Sequence, residues 1–503
     1  MTVKVWVYLL SGLVLVMACG PGTDVPMTLR VVHPMPNRSR PGTGHDYVSG
    51  SISDPSARIT VNGVVAPVSE IGTFLAYVRV GSDKELRAHE VVATRGRDTV
   101  RAYVPIGAAN PKEAPQPRGR RGYAVNSRMH LRIGQAVIVR SDVDDQELIG
   151  RLTTPGDYVW RLLPGTEGVV LDSSAEEARL RLADTVSVWV SRRIIRPIDK
   201  VKSPPVLRAE TLPTSSRRGE IHVFATRAPT FKVFIEGDRL VFKVFGAVHQ
   251  ASKASAQWRE DIGTIESRAD SSGLTYALGL RGPVFGYEVV WKHDRIVLRV
   301  RQPPRINRRR PLHGLTVLVD PGHPPGGAIG PGGSREADVV FALAQQLATV
   351  LKDRGAIAIL TKNAADAPVS LSDRVRIARN ADAHAIVSLH ADAVPDGANP
   401  DHYMGATVLA SQVHAMPLAA ATFMGIEEQT NRKGRGFAFG DFAIVRPTWA
   451  PAILCEVVTI TIPEEEILIV DASYRVRLAL GIVRGLEVYF SALDKHTYSR
   501  SSG

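Results

Sequence analysis

Cysteine is nearly absent. Only Cys19 and Cys455 occur in 503 residues, so a disulfide framework is excluded as a source of stability. Long apolar runs are missing too, apart from Val5 to Leu15, which is too short for a comfortable membrane span. No nucleic-acid-binding motif occurs either, although 62 Lys and Arg exceed 50 Asp and Glu for a formal charge of +12. A basic surface without such a motif points to anionic lipid or an acidic polymer, and away from nucleic acid.

What is present is length and patterned strands. A chain of 503 residues exceeds one core at roughly 100 to 200 residues per domain, so several units are expected. The chemistry concentrates in the last third. In LTVLVDPGHPPGGAIGPGGSRE, Thr316 to Val319 form an apolar, β-favouring run that Asp320-Pro321-Gly322 break, which sets His323 at the C-terminal end of a strand. A helix is expected to start near Ser334, with Val339, Val340, Leu343, Leu347, Val350 and Leu351 on its apolar face and Gly355 as its stop. Glu336, in the first turn, suits the helix dipole and taken alone reads as a surface residue.

The layout recurs downstream. Ala385 to Leu389 is a short apolar run ending at His390, and Ile453 to Val457 is another, interrupted by Glu456. A glutamate inside an apolar strand is costly unless paired, hydrogen-bonded or placed on a metal. Open α/β sheets bind ligands at C-terminal strand ends. Two histidines and a carboxylate around an open position make a catalytic zinc site, beside which a further carboxylate can act as general base.

In order, these pieces resemble the zinc-dependent N-acetylmuramoyl-L-alanine amidases of bacterial cell walls over positions 314 to 490. The matches are DPGH at Asp320 to His323, Glu336 opening a helix, LSDR at Leu371 to Arg374, SLHADA at Ser388 to Ala393 and PAILCE at Pro451 to Glu456. Five ordered pieces are far more specific than a lone motif. The resemblance implies one Zn2+ per catalytic domain, held by His323, Glu336 and His390, with Glu456 as the catalytic carboxylate. It implies hydrolysis of the amide between the muramic acid lactyl group and L-alanine in peptidoglycan. The chain departs from the family at Pro324 and Pro325, where two glycines are usual, and at Val458, Thr459 and Ile462, where Gly, Phe and Asn are usual. Some relatives plug the zinc with an extra helix before the catalytic glutamate; here one strand and one covering helix consume much of that interval, so no plug is expected. A protein activator is left open.

Around this core, Asp320 reads as a turn residue before an orienting acceptor for His323, and Arg374 as a structural ion pair. His313, His384, His402 and His414 match no metal spacing. Cys455 faces away from its neighbour Glu456 and is expected in the core.

The N-terminal part reads as a string of β-rich modules. Residues 1–18 fit a secretory signal, and Val16-Met17-Ala18-Cys19 looks like a bacterial lipoprotein processing box. That implies a lipidated Cys19, a membrane anchor and a periplasm-facing envelope location. Residues 19–46 read as a tether. Residues 47–106, with an Asn-Gly hairpin signal, resemble an immunoglobulin-like sandwich, 123–197 an SH3-like barrel, and 204–302 the AMIN-type sandwich that precedes many wall amidases. Trp160 and Trp189 read as core filling before ligand stacking. Residues 303–313 are a basic linker to the catalytic domain at 314–493. The expected fold is therefore multidomain: β-rich modules followed by an α/β domain whose mostly parallel sheet is covered by helices on both faces. The competing readings are a catalytically degenerate, peptidoglycan-binding envelope lipoprotein and a different zinc amide hydrolase acting on a non-wall peptide.

Overall fold

The computed structural model describes residues 5–10, 13–18, 27–36, 38–39, 44–80, 88–107, 131–142, 148–210, 219–250, 263–324 and 326–498. Cys19 and Pro325 lie outside these residues. Among the described residues, strands dominate the first 300 positions. Two five-stranded sheets take the chain to Gly107 and enclose a core that includes Leu29, Val48, Phe74, Val91 and Val104. Met27–His33, expected within the tether, is a strand of this unit. Met27, Leu29 and Val31 are buried and the residues between them are not, which is the period of two that a half-buried strand requires. Val5–Leu10 and Leu13–Ala18 pair antiparallel and extend the same sheet.

A seven-stranded antiparallel sheet follows, with Val137, Trp160, Leu180 and Val188 in its core. Trp160 therefore fills space rather than presenting a face. A five-stranded and a four-stranded sheet between Val206 and Arg301 then share Leu207, Phe242, Tyr276 and Leu298.

Among the described residues every α-helix belongs to the last domain, and none is long and apolar enough to cross a membrane. Its strands, numbered here from the start of that domain, are β1 (Thr316–Pro321), β2 (Ile357–Leu360), β3 (Ala385–Asp392), β4 (Thr407–Ala410), β5 (Gly436–Phe439) and β6 (Ala452–Thr459). Its helices are α1 (Glu336–Asp353), α2 (Leu371–Asn380), α3 (Met416–Thr430), α4 (Pro463–Val470) and α5 (Ala472–Tyr498). The sheet order is β2-β1-β3-β6-β4-β5. The first four strands are parallel, but β4 runs antiparallel to β6, so the sheet is mixed.

Alternate residues of the strands enter different cores. Val317, Val319, Val387, Leu389, Ile453, Cys455 and Val408 join the apolar faces of α1, α3 and α5. Leu318, Ile386, Ala452 and Leu454 meet Val375 and Ala378 of α2. α3 and α5 touch backbone to backbone: a Cβ on Gly425 would stand 2.3 Å from the Gly481 carbonyl oxygen, and one on Gly485 would stand 2.3 Å from Thr422 Cα. Between His390 and Glu456 the only α-helix is α3, and it packs on α5.

The β-rich modules dock on this domain. The Tyr47 and Tyr77 hydroxyls donate to the carbonyls of Val394 (3.1 Å) and Gly397 (3.2 Å), in the loop after β3. Farther along, Arg301 donates to the Ala383 carbonyl at 2.8 Å and Tyr287 N to that of Thr448 at 2.8 Å.

Candidate metal centre

Each candidate ligand is delivered by a different chain feature. His323 follows β1 with φ +49, a left-handed backbone that costs a residue other than glycine about 1–3 kcal/mol unless its surroundings hold it. Buried Lys362, two residues past β2, does so. Its ammonium donates to the carbonyls of Gly322 (3.1 Å), His323 and Ala365 (3.0 Å). Burial, reinforced by the charge of Arg374, pushes that ammonium down to about 8. Arg374 also donates to the Pro321 carbonyl at 2.8 Å and pairs with Asp320 Oδ1 at 2.6 Å, and both charged side chains are almost wholly buried. The expected ion pair is thus present. Asp320 is engaged further by Thr361 Oγ1 (2.6 Å) and Ser388 Oγ (2.8 Å).

Glu336 is the first residue of α1 and is buried, not a surface residue answering the dipole. Its Oε2 accepts from Ala328 N at 2.8 Å and lies 3.3 Å from His323 Nε2. Its Oε1 accepts from Ala391 N at 3.0 Å and lies 3.1 Å from His390 Nδ1. Burial by itself would push this carboxyl up, but the hydrogen bonds to His323 and His390 outweigh it and hold the group well below the ordinary carboxylate range. The two imidazole planes are nearly perpendicular, 82° apart, with centroids 5.1 Å apart.

One ligand atom from each of His323, Glu336 and His390 lies within 4.8 Å of the others, the only such cluster of His, Cys, Asp and Glu among the described residues. Two imidazole nitrogens and one carboxylate oxygen are a donor set that suits a catalytic divalent metal with an open position. The structure thus brings His323, Glu336 and His390 together, and His384 and His414 fall outside the cluster. His384 Nδ1 accepts from Thr316 N at 3.0 Å, and complete burial pushes the His414 imidazole down to about 4.

Glu456 stands in ladder register with His390 across the parallel pair β3/β6, so the two side chains share a face. Its Oε2 is buried without a hydrogen-bond partner. Burial, then the negative charges of Asp392 and Glu336, push the carboxyl up to about 9, against the opposing pull of Arg435. An ionisable oxygen left unpaired beside the clustered donors of His323, Glu336 and His390 is suited to proton transfer. Cys455 points into the opposite core and is fully buried, which raises its thiol pKa.

Sequence reasoning missed the groups that hold the ligand loops. Glu466, in the first turn of α4, accepts from Gly332 N (2.6 Å) and Ser334 N (2.9 Å), fixing the loop that delivers Glu336. A Cβ on Gly330 would stand 2.3 Å from that carboxyl carbon, which is why glycine is needed there. Glu465 accepts from Gly405 N (3.0 Å), Thr459 N (2.9 Å) and Arg432 (2.7 Å). The available signal was Pro463-Glu464-Glu465-Glu466 directly after an apolar strand. Arg435 pairs with Asp392 at 2.7 Å beside the cluster.

Residues 317–488 match the N-acetylmuramoyl-L-alanine amidase family. The chain is 32% identical over 188 residues to a probable cell wall amidase LytH of Staphylococcus epidermidis, covering 36% of this chain and 60% of the relative. It is 31% identical over 190 residues to the Staphylococcus aureus counterpart, covering 37% of this chain and 61% of that protein. The chain thus spans about three fifths of the length of these curated relatives. Among solved structures it is similar to N-acetylmuramoyl-L-alanine amidase AmiC2 of Nostoc punctiforme, with 32% identity, a TM-score of 0.33, and coverage of 37% of this chain and 98% of that one. By its family match and its homologues, the C-terminal domain of this chain belongs to the N-acetylmuramoyl-L-alanine amidase family.

Proposed function

We propose that the chain is a peptidoglycan amidase that hydrolyses the bond between the N-acetylmuramic acid lactyl group and the L-alanine of the stem peptide. The observation that carries this reading is the unpaired Glu456 in register with His390, beside the clustered donors of His323 and Glu336, on a domain of that family.

His323, Glu336 and His390 would hold a single zinc ion. When bound, zinc supplies a Lewis acid that polarises the scissile carbonyl, brings the pKa of water toward about 7 and draws the Glu456 carboxyl down by its charge. The amides of Ala328 and Ala391 fix the Glu336 carboxylate, and Lys362 and Arg374, donating to the His323 and Pro321 carbonyls, fix the loop that carries His323. Glu456 takes a proton from the attacking water and returns it to the leaving nitrogen as the C–N bond breaks. The products are a lactyl carboxylate and a free L-alanyl amine. The departures after Glu456 fit this reading, because Val458 and Ile462 are buried and Thr459 N is held by Glu465; they line the core and leave the donors in place.

Zinc-loaded full-length protein is expected to release stem peptides from purified sacculi. Glu456→Ala should lower the rate by about 10²–10⁴-fold, the range for loss of a general acid-base group, while keeping one zinc per chain. Zinc-loaded wild type that leaves sacculi intact would return the chain to the binding-lipoprotein reading.

We place the protein at the cell envelope, anchored through a lipidated Cys19 and facing the periplasm, with its β-rich modules, including an AMIN-like unit at 204–302, holding it to the wall. Cleavage before Cys19 would remove the first two strands and leave Met27–His33 at the sheet edge. Cys19→Ser should shift the protein from the membrane to the soluble fraction; persistence in the membrane fraction counts against the anchor.

A further inference from the structure

The row of side chains at the C-terminal edge of the sheet does not end at Glu456. Glu456 is the ladder partner of His390 on one side and of Thr407 on the other, and Thr407 is the partner of Gly436 on β5. Ladder partners put their side chains on one face, with Cβ atoms of an antiparallel pair about 4.5–5.5 Å apart. His390, Glu456 and Thr407 therefore stand in sequence across three strands, and the fourth position carries no side chain. A Cβ on Gly436 would meet no atom within 4 Å, so the row opens into free space at that end.

Two side-chain atoms in this row are buried and have no hydrogen-bond partner, Glu456 Oε2 and Thr407 Oγ1. They belong to directly opposed residues. An unpaired buried hydroxyl is unfavourable, and valine would fill the same shape on this face, which carries Leu409 two residues farther along β4. A hydroxyl at this position gains a purpose when a polar group of the substrate meets the face of the sheet beside these two side chains.

We propose that Thr407 is a substrate-binding residue: its Oγ1 accepts the hydrogen bond of the scissile amide N–H, and the stem peptide leaves over Gly436. This rests on the amidase reading above. In that reaction the water oxygen bonds to the lactyl carbonyl carbon and one water proton passes to Glu456. The same proton reaches nitrogen as the C–N electron pair departs with it. Nitrogen keeps its own N–H throughout, and its lone pair has to face Glu456 to be protonated, so its N–H has to face elsewhere. Thr407 is the polar group on the side of Glu456 away from His390. A fixed N–H there stops the nitrogen from rotating its lone pair out of reach, and the adjoining glycine leaves room for the peptide that follows the nitrogen.

The test uses zinc-loaded full-length protein and two soluble muropeptides, the natural amide and an analogue with L-lactate in place of L-alanine, in which oxygen replaces N–H. On the amide, Thr407→Val should lower kcat/KM about 10- to 100-fold, the range for a hydrogen bond lost from a buried group, whereas Thr407→Ser stays close to wild type. On the ester, Thr407→Val and wild type should agree, because there is no N–H to accept. Thr407→Ala should repeat the amide-specific loss, which guards against a Val-specific packing defect, and zinc content should be unchanged in all variants. Equal losses on both substrates, or none on the amide, overturn the Thr407 assignment alone. Zinc-loaded wild type that cleaves neither compound overturns the amidase reading and this inference with it.

Discussion

Two successive rows of polar side chains cross the same face of the same sheet, and they are of opposite character. In the inner row Asp320 and Ser388 are ladder partners, both buried, and the aspartate is saturated by Arg374, Thr361 and Ser388. In the outer row, two residues farther along β3, His390, Glu456 and Thr407 include two buried oxygens with no partner. The inner side chains are fully buried and the outer ones half-buried, yet the two unpartnered oxygens of the outer row are themselves buried, so what separates scaffold from chemistry here is satisfaction. The inner row locks the strand ends, and that rigidity is what allows the outer row to stay unsatisfied without rearranging.

The largest effect that separates the rows is on stability. Arg374→Met leaves the Asp320 carboxylate buried without its cation and should cost about 3–5 kcal/mol. It can be read as the urea-induced loss of helical circular dichroism in the full chain, because the described α-helices all lie in the last domain. An unchanged midpoint would show that the inner row does not carry the fold.

A smaller effect distinguishes the outer row by its pH dependence in chelator-treated protein. The Glu456 carboxyl sits near 9 when folded against an ordinary 4.5, so the folded state keeps a proton that the unfolded chain has released. Its contribution is fully present below pH 4.5 and is lost as the pH rises toward 9. Metal-free wild type should therefore lose stability across that window, and Glu456→Gln should lose less. Parallel profiles would mean that Glu456 is paired in solution and that the two rows do not differ.

Much of this centre was legible because local pattern and chemistry coincide there. Apolar runs that stop at His323 and His390, and a glutamate lodged in the apolar run around Glu456, are visible without coordinates. Strand direction was not: β4 is a short apolar run like the others, and nothing local says that it pairs antiparallel with β6. Met27–His33 alternates correctly, yet its Pro-, Gly- and Arg-rich flanks made it read as tether. Lys362 and Glu466 escaped because their roles lie in backbone groups far along the chain, the His323 carbonyl and the Gly332 and Ser334 amides. A charged residue with such partners looks like any exposed one until the loops are placed.

The contact of α3 with α5 has a consequence for how variation would be felt. α3 connects β4 to β5, and so it carries the wall formed by Thr407 and Gly436, while Gly425, Gly481 and Gly485 let it sit directly on the C-terminal helix. Adding a single methyl group at any of the three would pry the helices apart and tilt that wall, although none of them approaches the reacting bond. Tolerance to substitution in this domain is thus set by mechanical linkage more than by proximity, and three of its least replaceable positions sit at the back.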